Sequence, residues 1–302
     1  MQMLVVGSVA LDSVETPFGK IEDGLGGSAT HFATSASFFV KPELVAVVGE
    51  DFPEQHIEFL KSRGICTKGL QKKSGKTFRW KGKYEYDLNT AHTLDTQLNV
   101  FQNFFPELPT EYRKNEIVFL ANIDPELQGK VIDQCENAKW IALDTMNFWI
   151  SGKREELRKT ISRVNMVVIN EAEARDLAGA SNLLKAARTI QSWGPSTLVI
   201  KRGEYGALLF FEDKIFSAPG LPLEDIKDPT GAGDSFAGGL MGCLTKNWTG
   251  KINFEVLKKA CIYGSVMASY NVEDFSLDRL RKLTPQEIES RYQEFIHLAH
   301  FE

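Results

Sequence analysis

Residues 228–239 read DPTGAGDSFAGG, small residues around two carboxylates with no lysine or arginine among them. Gly231, Ala232 and Gly233 directly precede an apolar helical pattern, SFAGGLMGCL. The loop is therefore expected to present free backbone N–H groups at a helix N-terminus, where the helix dipole adds positive potential. Such a place takes an anion without a cationic side chain. Glycine suits it because a side chain would block a phosphate and restrict the angles that aim the amides inward. Asp234 then lies beside the bound anion. Two readings of it stay open at this point: a base that takes the proton of an acceptor hydroxyl in phosphoryl transfer, or a helix cap. Rival loops fail by inspection. G-x-x-x-x-G-K-[ST] does not occur, and Phe236 stands where a dinucleotide fingerprint has its third glycine.

The elements around this loop follow an α/β rhythm. Apolar, β-branched runs at 3–11, 43–49, 116–122, 139–145, 165–170 and 196–203 suit strands covered on both faces. Helical patterns lie at 27–39, 53–63, 125–136, 154–162, 171–192, 233–246, 254–269 and 284–299. Start signals include Asp124 before Pro125, and Thr284 before Pro285 with Glu287 behind it. The alternation implies a doubly wound, mostly parallel sheet flanked by helices. KTFRWKGKYEYDL (76–88) breaks the rhythm. Phe78, Trp80, Gly82, Tyr84, Tyr86 and Leu88 alternate as in a strand with one apolar face, and Gly82 could turn or kink it. Residues 12–23 supply further strands for the same small sheet.

The bulk properties narrow the partners. With 302 residues, 43% hydrophobic and 25% charged, the chain folds around a sizeable core. A net charge of -5 argues against a protein that neutralises nucleic-acid phosphates. The basic residues between Lys68 and Lys83 read as the solvated side of a sheet sooner than as a nucleic-acid surface of basic and aromatic residues. Cysteines 66, 135, 243 and 261 have no zinc or disulfide spacing and read as buried free thiols. The opening MQMLVVGSVALDS is too short for a membrane span and carries no signal-peptide pattern, so a cytoplasmic protein is expected, with no membrane partner.

Residues 228–239 resemble the C-terminal signature of the PfkB/ribokinase family of carbohydrate and nucleoside kinases. GGSATH (26–31), VVGEDF (47–52), Asn170 to Glu173 and KRGEYG (201–206) match further landmarks in order across nearly the whole chain. The resemblance implies one ribokinase-like domain over 1–302, with a small β-sheet lid from about 12–25 and 70–98. It implies ATP as phosphoryl donor, Mg²⁺, and a small sugar or nucleoside as acceptor. Asp234 matches the catalytic base; Gly231, Ala232 and Gly233 match the anion hole. Asn170 and Glu173 match the pair that organises the phosphates and the hydrated Mg²⁺, where the residues alone read as a strand-end turn and a first-turn acid.

Lys201, Gly203, Gly206 and Thr230 fall where the family lines the nucleotide. Asp228 and Thr230 match positions that in some members hold a monovalent cation such as K⁺. Asp12 matches the aspartate that binds sugar hydroxyls, with Gly26 and Gly27 starting a helix against the substrate. His31 stands where the family often has asparagine, which changes the reach of that contact. Asp51 reads as a helix cap sooner than as a substrate contact. In some members the lid is also a homodimer interface. A sugar kinase is the first reading. A nucleoside kinase using Phe78, Trp80, Tyr84, Tyr86 or the phenylalanines at 101–105 to stack a base is the alternative. A non-catalytic nucleotide- or metabolite-binding protein on the same scaffold is the rival of another class.

Overall fold

The computed structural model describes residues 1–88 and 90–300. Asn89, inside the expected segment 70–98, and Phe301 and Glu302, at the end of the expected 1–302 domain, lie outside the described residues. The chain begins with β1 (Gln2–Val6), forms the hairpin β2 (Ala10–Thr16) and β3 (Gly19–Gly26), and enters α1 (Ser28–Ala36). There follow β4 (Lys41–Gly49), α2 (Glu54–Ser62), β5 (Cys66–Lys73) and a second hairpin, β6 (Phe78–Tyr84) and β7 (Ala91–Gln97). Strand and helix then alternate through β8 (Ile117–Leu120), α3 (Pro125–Gln134), β9 (Trp140–Leu143), α4 (Asn147–Gly152) and α5 (Arg154–Ile161). The alternation continues through β10 (Met166–Asn170), α6 (Glu171–Ala178), α7 (Leu183–Gln191) and β11 (Thr197–Lys201). The hairpin β12 (Ala207–Phe211) and β13 (Lys214–Ala218) precedes α8 (Ala232–Lys246), α9 (Phe254–Asn271), α10 (Asp278–Lys282) and α11 (Pro285–Ala299).

The large sheet runs in the order β13, β12, β11, β10, β9, β8, β1, β4, β5. Every pairing from β5 through β11 is parallel. The carboxyl ends of β1, β8, β9, β10 and β11 therefore line one edge. Chain order reverses across β1, between β4 and β8, the kind of switch point where α/β sheets hold ligands. Both faces are covered: Leu44, Ala46 and Val48 of β4 enter one core, while Val45 and Val47 enter the other. That is why the strands read as unbroken apolar runs.

The small sheet has the order β3, β2, β6, β7. Residues 70–73, expected within it, instead extend β5 along β4 in the large sheet. The strand read over 76–88 stops at Tyr84; Tyr86 is exposed and Leu88 takes a left-handed φ of 55°. The helix read over 171–192 breaks at Gly179, whose φ of 62° closes α6. The start signals at Asp124 and Thr284 do cap α3 and α11, the latter with a full capping box. Cys243 and Cys261 are buried free thiols, whereas Cys66 and Cys135 are only half-buried.

The glycines of FAGG serve packing. A Cβ on Gly238 would lie 2.3 Å from the carbonyl oxygen of Phe32 on α1, and one on Gly239 2.6 Å from that of Tyr263 on α9. Their absence of side chains lets α8 seat tightly between α1 and α9, which sets the depth of its N-terminus in the cleft.

Candidate active site

Gly231 is the residue before α8, in a left-handed conformation with φ 74°. No side chain caps this helix. The Ala232 N–H turns back to the Pro229 carbonyl, while the amides of Gly231, Gly233 and Asp234 have no acceptor among the described residues. Asp234 sits in the first turn, where the cap reading would need it one turn earlier at the position Gly231 holds. Its carboxylate is half-buried and accepts no hydrogen bond among the described residues.

The loop is held from below by Asp228. This buried carboxylate accepts from the Thr230 N–H at 2.9 Å and the Ser276 N–H at 3.2 Å. Thr230 in turn donates its hydroxyl to the Tyr84 hydroxyl at 3.3 Å, joining the loop to the small sheet. The expected cation pair, Asp228 and Thr230, is thus engaged in shaping the loop, and neither oxygen of Asp228 is left without a protein donor.

The loop itself carries no cation, but a lysine reaches it from β11. Lys201, at the carboxyl end of β11, brings its ammonium to 2.9 Å from where a Cβ of Gly233 would stand. It pairs with Asp144 at 3.2 Å. Burial lowers the affinity of Lys201 for its proton, but Asp144, Glu173 and Asp234 outweigh it and hold the ammonium charged. Asp144, just past β9, is a site residue that the motif reading missed; an acid ending the apolar run IAL was the available signal. Burial raises the Asp144 pKa against the pull of Lys201. The Asp234 pKa is raised well above its ordinary value by burial and then by Asp144, with Asp12 and Glu173 adding to it and Lys201 opposing.

Asn170 and Glu173 form a capping box on α6: Asn170 Oδ1 accepts from the Glu173 N–H, and Glu173 Oε2 from the Asn170 N–H, both at 2.8 Å. One oxygen of Glu173 therefore remains for other work. Burial and Asp144 push the Glu173 pKa up to about 7. Among the described residues, no three His, Cys, Asp or Glu side chains are grouped to hold a bare metal ion. This donor set fits an ion that keeps most of its waters and is held chiefly by phosphates, as Mg²⁺ is. Gly203 and Gly206 form the turn between β11 and β12. A Cβ on Gly206 would strike the Ala218 carbonyl oxygen at 2.2 Å, a packing reason independent of any ligand.

On the acceptor side, Asp12 Oδ2 takes the Gly27 N–H at 3.2 Å at the start of α1. A Cβ on Gly26 would stand 1.9 Å from the same oxygen, so this glycine is what lets Asp12 approach the helix. Burial, with Asp228 adding, raises Asp12 to about 7. His31 lies on α1 with its ring against Gly231 and its Nδ1 3.0 Å from Asn271 Oδ1. Asn271 gave no local signal; it matters because α9 ends against the loop. Asp51 is not a cap. Pro53 precedes α2, and Asp51 instead accepts from Thr77 and pairs with Arg79 at 2.8 Å, pinning the start of β6. Phe78 stacks on Phe101, and Phe101 on Phe104, so those rings pack one another. In the basic stretch, Lys68, Arg79 and Lys83 pair with Glu111, Asp51 and Glu15. A cavity of ≈ 290 Å³ between Ile21, Gln55 and Arg281 holds none of the expected site residues.

These raised carboxylates have a stability consequence. Asp12 goes from 3.8 and Glu173 from 4.5 to about 7 on folding. A raised folded pKa favours the fold below the unfolded value, and that stabilisation is lost as pH rises through the folded value. The ligand-free protein is therefore expected to lose Tm between about pH 4.5 and 7, each group carrying on the order of 3 kcal/mol. Calorimetry across that range checks it, and Asp12→Asn should flatten the slope; a Tm that climbs throughout would refute the assignment.

A mostly parallel sheet, a small sheet over the switch point and an uncapped helix facing a lysine define a ribokinase-fold phosphotransferase with a hydroxyl acceptor. The chain belongs to the pfkB family of carbohydrate kinases, whose pattern matches residues 4–280. It is 33% identical to a cytidine kinase of Thermococcus kodakarensis over 247 residues, covering 80% of this chain and 87% of that protein. The nucleoside kinase of Methanocaldococcus jannaschii superposes with a TM-score of 0.77 at 21% identity, over 97% of this chain and 98% of that one. A Burkholderia thailandensis nucleoside kinase solved with inosine gives 0.76 at 17% identity, over 98% of each chain. Kinases of this family use ATP with a divalent metal. Among the described residues, no helix is long and apolar enough to cross a membrane.

Proposed function

We propose that this enzyme transfers the γ-phosphoryl group of ATP to a ribose hydroxyl of a nucleoside. The observation that carries the reading is the pairing of Asp12 with Trp80. The two are in register on β2 and β6, on the face whose Tyr84 reaches the loop at Thr230. The Trp80 indole leans over Gly82, where a Cβ would meet it at 2.1 Å, and its Nε1–H donates to Thr93 at 3.2 Å. A carboxylate for sugar hydroxyls beside a fixed aromatic plane for a base suits a nucleoside better than a free sugar. The likeness to a cytidine kinase supports the same class.

In this mechanism Asp12 accepts hydrogen bonds from two ribose hydroxyls and turns the third toward Asp234. The acceptor O–H bond breaks to Asp234 as the oxygen bonds to the γ-phosphorus, and the bridging P–O bond breaks to leave ADP. Negative charge on the transferred group meets the amides of Gly231 and Gly233 and the Lys201 ammonium. Glu173 would hold Mg²⁺ through water, and the ion would supply neutralising charge on the phosphates. The Asn170 N–H fixes one Glu173 oxygen and leaves the other for that role. Such an enzyme works where ATP and nucleosides meet, in the cytoplasm.

The test is ADP release across a panel of nucleosides and free sugars. Nucleosides, cytidine among them, are expected to turn over and ribose or fructose to lag; turnover of free sugars alone would return the assignment to a sugar kinase. Trp80→Ala should raise the nucleoside KM by about tenfold or more while leaving kcat nearly unchanged. Equal KM values in the two proteins would remove Trp80 from base recognition.

A further inference from the structure

We propose that Asn271 is a positioning residue that makes His31 a pure hydrogen-bond acceptor at its free nitrogen and, through the same amide, aims the anion loop. The inference rests on the kinase reading for its catalytic consequence but not for the geometry itself.

Asn271 is fully buried at the end of α9. Its Nδ2 donates to the Thr230 carbonyl at 2.8 Å. A carbonyl can only accept, so the orientation of the amide is settled: Oδ1 faces the other way. That oxygen receives the Ser235 hydroxyl at 2.9 Å and lies 3.0 Å from His31 Nδ1. An amide oxygen cannot donate, and His31 Nδ1 must therefore carry the proton.

The imidazole is neutral as well, because burial pushes its pKa down to about 4 despite the Asn271 bond. With one proton, placed on Nδ1, Nε2 keeps a bare lone pair, and it has no partner among the described residues. The Nδ1, Cγ and Cε1 side of the ring rests against Gly231, so the imidazole packs on the loop. An asparagine at position 31 could present either a donor or an acceptor. Imidazole locked in this way accepts only, so a ligand group reaching it must carry an O–H or N–H, as a ribose hydroxyl does.

The second consequence concerns the loop. Thr230 and Ser235 flank the Gly231–Asp234 amides, and one side chain grips both. Ser235 is gripped again through its carbonyl, which accepts the Ser35 hydroxyl at 2.6 Å. Releasing the Thr230 carbonyl frees the residue that precedes the left-handed Gly231 and blurs the aim of amides that must meet a transition state.

Nitrogen-15 histidine labelling reads the tautomer directly, with His31 assigned by the signals lost in His31→Gln. The wild type should show a protonated Nδ1 and a pyridine-like Nε2. Asn271→Leu should shift population toward protonated Nε2 and lower kcat by about tenfold to a hundredfold, with the KM for ATP changed less than about twofold. Asn271→Asp separates the roles and stands in if the leucine variant misfolds: it keeps an acceptor for His31 but, at a pH where it is ionised, cannot donate to Thr230. It should retain protonated Nδ1 yet lose a similar factor in kcat. A protonated Nε2 in the wild type would overturn the tautomer, and an unchanged kcat in Asn271→Asp would overturn the aiming role. If the wild type phosphorylates no member of the panel, the kinase reading fails while the tautomer result still decides the geometry.

Discussion

Asp234→Asn is expected to lower kcat by about a thousandfold, within the span that general-base catalysis contributes, while nucleotide binding persists. The side chain changes from a base to a near-isostere that cannot take a proton, and the backbone amides of residues 231–234 stay in place. The surroundings of Asp234 suit it to proton abstraction, since no hydrogen bond among the described residues occupies its oxygens, and burial followed by Asp144 raises its pKa. A base whose pKa approaches the working pH accepts a proton more readily than an ordinary carboxylate. Wild-type kcat should therefore rise with pH through this raised pKa, because the deprotonated form is the active one. The asparagine variant should lose that limb. It should also be the more stable protein at pH 8, since a folded pKa above the unfolded one costs stability once the group ionises. Steady-state kinetics, nucleotide titration and calorimetry read all three. Activity within tenfold of wild type would leave Asp234 as a helix-start acid and nothing more.

Lys201→Met is expected to damage stability and turnover together. The ammonium stands among Asp144, Glu173 and Asp234, and among the described residues it is the only cation that acts on all three. Removing one partner from a buried charge cluster leaves the others uncompensated, at a cost of about 3 kcal/mol. The carboxylates can escape part of that cost by holding protons. Their folded pKa values then rise further, so the stability gap between variant and wild type should widen from pH 5.5 to 8. Turnover should fall by about a hundredfold, because among the chain's own groups the phosphoryl charge would then meet only the backbone amides of the loop. Unfolding and kinetics at the two pH values test this. A gap that narrows toward pH 8 would show that Lys201 does not compensate the acids.

The residue order by itself determined the local features. Apolar runs without alternation marked strands buried on both faces, and Asp124 and Thr284 marked helix starts, because these depend on neighbours a few positions apart. The loop at 231–233 was legible for the same reason: glycine, alanine and glycine before an apolar helical pattern place free amides at a helix N-terminus, while whether Asp234 caps that helix stayed open. Capping alone also explains why Asn170 and Glu173 supported two readings, since a capping box is a local contact that uses only part of each side chain.

The tertiary structure decided how charge is arranged around that loop. The stretch from Asp228 to Gly239 contains no cation, yet Lys201 arrives from β11 because β11 is a parallel strand ending at the same sheet edge. Asp144 arrives from β9 for the same reason, and Asn271 comes from the far end of α9. Charge compensation and tautomer choice depend on distances between residues remote in the chain, and no local spacing encodes those distances. The packing of Gly238 and Gly239 against α1 and α9 bears on one part of them, the seating of α8.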